Sequence, residues 1–199
     1  MADTTDRMAR QIAFLLEIDR LKSVLRRSYL ADGVRLENSA EHSWHLAVMA
    51  MILAEYANVS VDSRRVLKML LVHDIVEVDA SDTYVYDEIG ARDKAEREGR
   101  AADRIFGLLP ADQEVELRGL WEEFEARETP EARFAAALDR LMPLLHNFQT
   151  QGRSWHEHGI VSRQVLSRNA HIADGSEELW RFAHALIEDA VAKGYLAPG

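Results

Sequence analysis

Apolar residues recur at helical spacing along almost the whole chain. The first series follows the i, i+3, i+4, i+7 spacing of an amphipathic helix: Ile12, Leu15, Leu16, Ile18, Leu21 and Leu25. Similar series predict further helices over about 40–58, 62–78, 91–107, 111–127, 130–148, 160–172 and 177–193. No run of four to eight residues alternates or concentrates β-branched residues, so no sheet is expected. The pattern predicts an all-α fold.

Boundary residues support these helices. Residues suited to capping a helix N-terminus stand before four of them: Ser39, Asp62, Thr129 and Ser176. Pro130 suits a first helical position, and Gly194 suits a helix end. Asp32-Gly33 predicts a loop after the first helix, and the stretch 79–86 reads as irregular.

Composition narrows the class of protein. With 199 residues, 47% apolar, and no repeat or linker, the chain is expected to form a single domain over 1–199. The absence of cysteine excludes disulfides, thiolate metal sites and a cysteine nucleophile. The charge sum, 24 − 34 = −10, argues against nucleic acid as the main partner. The longest apolar stretch, 46–54, is far shorter than the roughly 20 residues that span a bilayer. With a polar N-terminus, this predicts a cytoplasmic protein with no membrane partner.

Ionisable residues interrupt the most apolar part of the third predicted helix. His73 and Asp74 directly follow the segment 66–72, and Glu77 lies one turn later on the same face. A buried charge without a partner costs several kcal/mol, so such groups are normally paired or bound to a metal. A hydrogen-bonded His–Asp pair in the core is the simpler interpretation of these two residues alone.

Two further residues show the same anomaly. Asp139 has Ala135, Ala136, Met142 and Pro143 as its helical neighbours and so faces inward. Its simpler interpretation is a pair with Arg140, although adjacent residues on a helix point in different directions. His42 opens the most apolar helix, where a single histidine would ordinarily be structural.

Together, His42, His73, Asp74 and Asp139 form a mixed nitrogen and oxygen set drawn from three helices. Such a set suits one divalent ion between the helices, with Mn, Co, Fe, Ni and Mg all compatible. Four protein ligands leave positions open on a six-coordinate ion for water and a phosphoryl oxygen. Water on such an ion becomes a usable nucleophile near neutral pH.

The order His … His-Asp … Asp resembles the signature of the HD-domain metal-dependent phosphohydrolases. Two segments, 37–43 (ENSAEHS) and 73–77 (HDIVE), with Asp82, resemble the branch of bacterial 5′-deoxynucleotidases and HD-domain-containing protein 2. The segments 121–125 and 132–139 also resemble that branch. The likeness covers about 10–150 and leaves 151–199 as C-terminal helices. It implies a single HD-domain helical bundle and a homodimer.

The resemblance also implies roles for individual residues. His42, His73, Asp74 and Asp139 would bind the metal, and Glu77 would orient or deprotonate the attacking water. Asp82 would contact the sugar or assist the leaving group. Arg27 would hold the 5′-phosphate through its forked donors, with Arg26 as the alternative. The chain departs from the family at Ser28, where the deoxynucleotidases carry an aromatic residue that helps to read the sugar.

The expected activity is removal of phosphate from ribo- or deoxyribonucleoside 5′-monophosphates, with a small nucleotide as partner. One alternative is a pyrophosphohydrolase acting on an alarmone or a nucleoside triphosphate. Such enzymes carry a Glu-Asp pair after the His-Asp, whereas here Glu77 is followed by Val78. The other alternative is a dimer that binds metal and nucleotide without turnover.

Overall fold

Helices dominate the computed structural model, which describes residues 4–87 and 89–199. They are α1 (Thr4–Glu17), α2 (Ser39–Leu53), α3 (Ser63–Val72), α4 (Glu77–Ala80), α5 (Lys94–Phe106), α6 (Ala111–Ala126), α7 (Pro130–Gln149), α8 (Arg153–Glu157), α9 (Ser162–Asn169), α10 (Ile172–Gly175) and α11 (Glu177–Ala192). Short 3₁₀ turns cover Ile18–Ser23 and Ala54–Tyr56. The predicted all-α class is confirmed. No helix within the described ranges combines the length and apolar character needed to cross a membrane.

A small antiparallel hairpin corrects the expectation of no sheet. Strand β1 (Leu25–Tyr29) pairs with β2 (Leu36–Asn38), and Leu25 lies opposite Asn38. The predicted loop at Asp32-Gly33 is confirmed as the connection between them, where Gly33 has a φ of 70°. Hydrophobic alternation cannot reveal these strands, because they are short and their inward positions carry polar side chains.

The N-terminus of α2 is capped by Asn38 rather than by Ser39. The Asn38 side chain accepts a hydrogen bond from the Glu41 amide, and the Glu41 carboxylate accepts one from the Asn38 amide. This reciprocal capping box satisfies two amides that the helix itself leaves without partners. The Ser39 hydroxyl is therefore available for another contact. The predicted caps Asp62, Thr129 and Ser176 are confirmed.

The third predicted helix ends earlier than its apolar pattern suggests. Helix α3 stops at Val72, the chain turns through residues 73–76, and α4 begins at Glu77. Within the turn, the amides of Ile75 and Glu77 bond three residues back, to Val72 and Asp74. This tighter winding changes the directions of the side chains at the point where His73 and Asp74 occur.

Helix α7 lies at the centre of the bundle, packed against α2, α3, α6, α10 and α11. Its buried side chains include Phe134, Leu138 and Leu141, each at most 2% exposed. Asp139 is carried on this helix and is itself buried. Pro143, four residues later, has no amide hydrogen to donate to the Asp139 carbonyl.

Replacing Arg127 with glycine is expected to stabilise the fold. Arg127 ends α6 with a φ of 52°, in the left-handed region where a side chain costs about 1 kcal/mol and glycine does not. Arg127→Ala removes the same charge and keeps the backbone strain. Urea unfolding should therefore rank Arg127→Gly above Arg127→Ala by about 1 kcal/mol. Equal stability of the two variants would contradict this account of the turn.

Candidate metal centre

Three buried side chains from separate parts of the chain meet at one point. His42 lies in the first turn of α2, His73 directly follows α3, and Asp139 lies on α7. One ligand atom from each lies within 4.8 Å of the others. Asp74 adjoins them, with its Oδ1 3.0 Å from His73 Nε2. The structure thus brings together the four side chains that the sequence predicted as metal ligands.

The hydrogen bond of His73 leaves one of its nitrogens available for a cation. Its Nδ1 lies 2.9 Å from the Leu70 carbonyl oxygen, which can only accept, so Nδ1 carries the proton. The lone pair then resides on Nε2, which is buried and forms no hydrogen bond within the described part of the chain. Metal-binding histidines ordinarily donate their other nitrogen to a carbonyl or carboxylate in this way. His73 therefore fits the role of a metal ligand.

His42 faces a carboxylate from each of its ring nitrogens. Nδ1 lies 3.1 Å from Glu37 Oε2, and Nε2 lies 3.0 Å from Asp139 Oδ1. A neutral imidazole has one proton and cannot donate to both carboxylates. Burial and Arg26 alone would lower the pKa of His42, but the two carboxylates raise it above its usual value. The arrangement requires a cation, either a second proton or a metal ion between Nε2 and Asp139.

Asp139 stays ionised because Arg140 and a hydrogen bond with His42 favour its charged form. Burial by itself would raise its pKa, but Arg140, His42 and His73 together hold that pKa well below the usual value. Arg140 Nε lies 3.7 Å from Asp139 Oδ2, so the two adjacent residues do approach each other. That contact corrects the expectation that their directions on the helix keep them apart. Asp139 thus contacts His42 through Oδ1 and Arg140 through Oδ2.

Arg26 occupies the centre of the acidic cluster. Its Nη1 donates to Asp74 Oδ2 at 2.7 Å, and its Nη2 lies 3.7 Å from Asp139 Oδ1. Arg27, the predicted phosphate ligand, is exposed at the rim of the cavity that Arg26, His73, Asp74 and Asp139 line. Successive side chains of a strand point to opposite faces, so only one of the two arginines can face the cluster. The structure places the alternative, Arg26, there.

Glu77 and Asp82, for which the resemblance implies water and sugar contacts, line the same cavity as the cluster. Ser39 Oγ donates to Glu77 Oε2 at 2.6 Å. Burial, reinforced by Asp74, raises the pKa of Glu77 well above its usual value. Burial also raises the pKa of Asp82, whose Oδ1 lies 3.9 Å from Arg26 Nη1.

Sequence reasoning missed two contributors to this site. Glu37 is 1% exposed and orients His42, whereas the sequence shows it only as part of a motif. Ser39, the predicted cap, instead donates to Glu77. The position of Glu37, one residue before the cap of α2 and five before His42, is the signal that could have found it. Trp155, on α8, is buried and also lines the cavity, although the resemblance does not cover its segment.

An HD domain model matches residues 18–180, which is most of the chain. The chain belongs to the HD domain family. The predicted membership of the HD-domain family is thereby confirmed.

Relatives within the family carry a specific activity in their names. Human 5′-deoxynucleotidase HDDC2 is 34% identical over 135 residues, covering 67% of this chain and 65% of the relative. The mouse protein of the same name is 33% identical over 187 residues, covering 84% and 92%. These relatives support the expected class of enzyme, an HD-type phosphohydrolase of the 5′-nucleotidase kind.

Solved structures confirm the fold. A protein described as a predicted metal-dependent phosphohydrolase, from Magnetospirillum magnetotacticum MS-1, superposes with a TM-score of 0.94. It is 54% identical, with both chains fully covered. PH0347 from Pyrococcus horikoshii OT3 has a TM-score of 0.61 at 21% identity, covering 92% of this chain and 99% of that one. This second likeness supports the fold alone.

Glu37→Gln is expected to weaken binding of a divalent ion by about 10–100-fold. The amide still accepts the His42 Nδ1 proton but no longer offers a charge that makes the imidazole a better ligand. Calorimetric titration of the metal-free protein with Mn²⁺ or Co²⁺ measures the change. Glu96→Gln, at an exposed carboxylate on α5, is the matched control and should bind as the wild type does. Unchanged affinity in Glu37→Gln would contradict the assigned role.

Proposed function

We propose that this HD domain protein removes phosphate from nucleoside 5′-monophosphates, in the ribo or deoxyribo form. A divalent ion would be held by His42, His73, Asp74 and Asp139. The observation that carries the proposal is the convergence of three of these ligands within 4.8 Å, beside a buried glutamate. When bound, the ion supplies Lewis-acid polarisation of the phosphoryl group and acidification of water.

Glu77 is suited to accept the proton of the attacking water. The Ser39 hydroxyl fixes one carboxylate oxygen, Oε2, so the other oxygen, Oε1, can face the water. A general base works best when its pKa lies near the working pH, and burial moves the pKa of Glu77 in that direction. Asp82, on the segment after α4, would contact the sugar or assist the leaving oxygen.

Arg26 has one terminal nitrogen that can turn to a phosphate. Its Nη1 is engaged by Asp74, whereas its Nη2 lies 3.7 Å from Asp139 Oδ1, beyond hydrogen-bond distance. A guanidinium presents a planar fork that matches two phosphoryl oxygens. We therefore assign the contact nearest the reaction centre to Arg26 and give Arg27 a place at the rim. Ser28, buried beside these arginines, stands where the deoxynucleotidases carry an aromatic residue that helps to read the sugar. Selection between ribose and deoxyribose would therefore depend on other residues of the cavity.

Phosphate release from a panel of ribo- and deoxyribonucleoside 5′-monophosphates tests the proposal. Release should require Mn²⁺, Co²⁺ or Mg²⁺, and Glu77→Gln should lower kcat by at least about 100-fold, because the base is lost. Asp74→Ala should lose both metal and activity, whereas Glu96→Gln should keep both. Release of pyrophosphate only from triphosphates or alarmones would favour the pyrophosphohydrolase. Metal and nucleotide binding without any release would favour the binding protein.

The same assay separates the two arginines. Arg26→Gln should lower kcat/KM by at least about 100-fold, because a charged donor is lost where negative charge develops. Arg27→Gln should raise KM by only a few-fold, as expected for a contact at the rim. The reverse ranking would return the phosphate to Arg27. Metal content measured on both variants excludes an indirect effect through Asp74.

A second copy of this chain is the proposed protein partner. Helix α1 exposes a continuous apolar stripe, with Met8, Ile12, Leu15 and Leu16 each 50–70% exposed. An amphipathic helix normally buries such a face. Light scattering should give twice the mass of one chain, and Ile12→Glu with Leu16→Glu should give the single mass. Val115→Glu, at an exposed apolar residue on α6, should leave the dimer intact. A single mass for the wild type would contradict the dimer.

One domain over 1–199 and a location in the cytoplasm stay predictions from the sequence.

A further inference from the structure

A strongly basic groove lies on this otherwise acidic protein. It measures about 560 Å³, within the range of about 300–1,000 Å³ that is typical of ligand pockets. The residues that give it its character are Tyr86, Arg127, Arg140, Arg163, Arg168 and His171. Four arginines in one groove stand out against a net charge of −10. The groove shares Tyr86, Arg127 and Arg140 with the cavity of the metal centre.

Two of the groove arginines form no ion pair within the part of the chain that the structure describes. Neither Arg127 nor Arg163 forms an ion pair through its side chain among residues 4–87 and 89–199. Arg140 lies near Asp139, yet its Nε is buried and makes no hydrogen bond there. Guanidinium groups held close together repel one another unless an anion or a carboxylate lies between them. The groove is therefore prepared for negative charge.

His171 reports the same electrostatic environment. Its Nε2 is buried without a hydrogen-bond partner in the described ranges. Burial, reinforced by Arg127 and Arg140, lowers the pKa of His171 to about 4, although Asp139 and Asp174 oppose the shift. Among the charged neighbours, the two arginines therefore change the pKa of His171 more than the two carboxylates do.

The backbone at Arg127 gives an independent indication. This residue adopts a φ of 52° at the end of α6, where glycine would be favoured. Arg127 lines both the groove and the cavity of the metal centre. A strained residue that contributes charge but no ion pair is typical of a binding site.

We propose that this groove binds a phosphate-bearing anion through Arg127, Arg140 and Arg163, at a site separate from the metal-binding cluster. Each guanidinium offers two parallel donors to phosphoryl oxygens. Tyr86 and His171 line the same space. Binding in this groove requires no turnover, so it stands independently of the proposed function.

Two sources could supply the anion. One is a second phosphate on the nucleotide in the catalytic cavity, since Arg127 and Arg140 line both spaces. The other is a separate anion that occupies the groove alone. Both sources present phosphoryl oxygens to the same arginines. The KM values of substrates with one and with two phosphates distinguish them.

Calorimetric titration of the metal-free protein with pyrophosphate tests the site. Arg163→Gln should weaken binding roughly tenfold or more, as expected for loss of one charge-assisted contact. Arg127→Gly should weaken it similarly while keeping the fold, since glycine suits that backbone. Arg181→Gln is the matched control: it removes one exposed arginine from α11 and should bind pyrophosphate as the wild type does.

Two results would overturn the proposal. One is the absence of pyrophosphate binding, or equal affinity in the wild type, Arg163→Gln and Arg127→Gly. The other is binding that is lost in Arg27→Gln and retained in Arg163→Gln, which would place the anion in the catalytic cavity.

Kinetics with the metal-loaded protein then separates the two sources, and only this step rests on the proposed function. KM is compared for a deoxynucleoside 5′-monophosphate and the corresponding 3′,5′-bisphosphate. An Arg163→Gln variant with a raised KM for the bisphosphate alone assigns the groove to a second phosphate of the substrate. Unchanged KM values for both, with pyrophosphate affinity lost, assign it to a separate anion. Absence of turnover would contradict the phosphatase and leave the calorimetric result in place.

Discussion

Repulsion among buried carboxylates is the constraint around which this site is arranged. Glu37, Asp74, Glu77, Asp82 and Asp139 converge on one space within the helical bundle. Burying several negative charges together is unfavourable unless cations or protons neutralise them. Arg26 donates to one of the carboxylates and lies within 4 Å of three others. The remaining imbalance suits a metal ion at the cluster of His42, His73 and Asp139.

The secondary structure is arranged so that this balance can form. Hairpin β1–β2 carries Arg26 on one strand and Glu37 on the other, and the capping box at Asn38 then starts α2 with His42 in its first turn. The tight turn after α3 places His73 and Asp74 side by side. Helix α7 presents Asp139 from the opposite side. The charged groups of the cluster are therefore drawn from several elements that are distant in sequence.

Arginines at the edge of the cavity surround the carboxylate cluster with positive charge on one side. Arg140 is close to Asp139 on one side and lines the basic groove on the other. Negative charge thus dominates at the metal centre, whereas positive charge dominates next to it. An anion entering from the groove would meet guanidinium groups before it meets the carboxylates. This polarity suits a protein that handles phosphate groups although its net charge is negative.

The sequence by itself determined the helical class and most helix boundaries, and it singled out the four candidate metal ligands. Apolar periodicity and capping chemistry are local, and an ionisable residue on an apolar helix face is conspicuous in one dimension. Tertiary structure decided what depends on partners distant in the chain. It places Arg26, and not Arg27, among the buried carboxylates. It brings Ser39 into contact with Glu77, 38 positions away, and it forms a hairpin whose inward residues are polar. It also brought the groove arginines together from the end of α6, from α7 and from α9. These outcomes depend on contacts between residues that are distant in sequence, and the spacing of residues along the chain does not reveal such contacts.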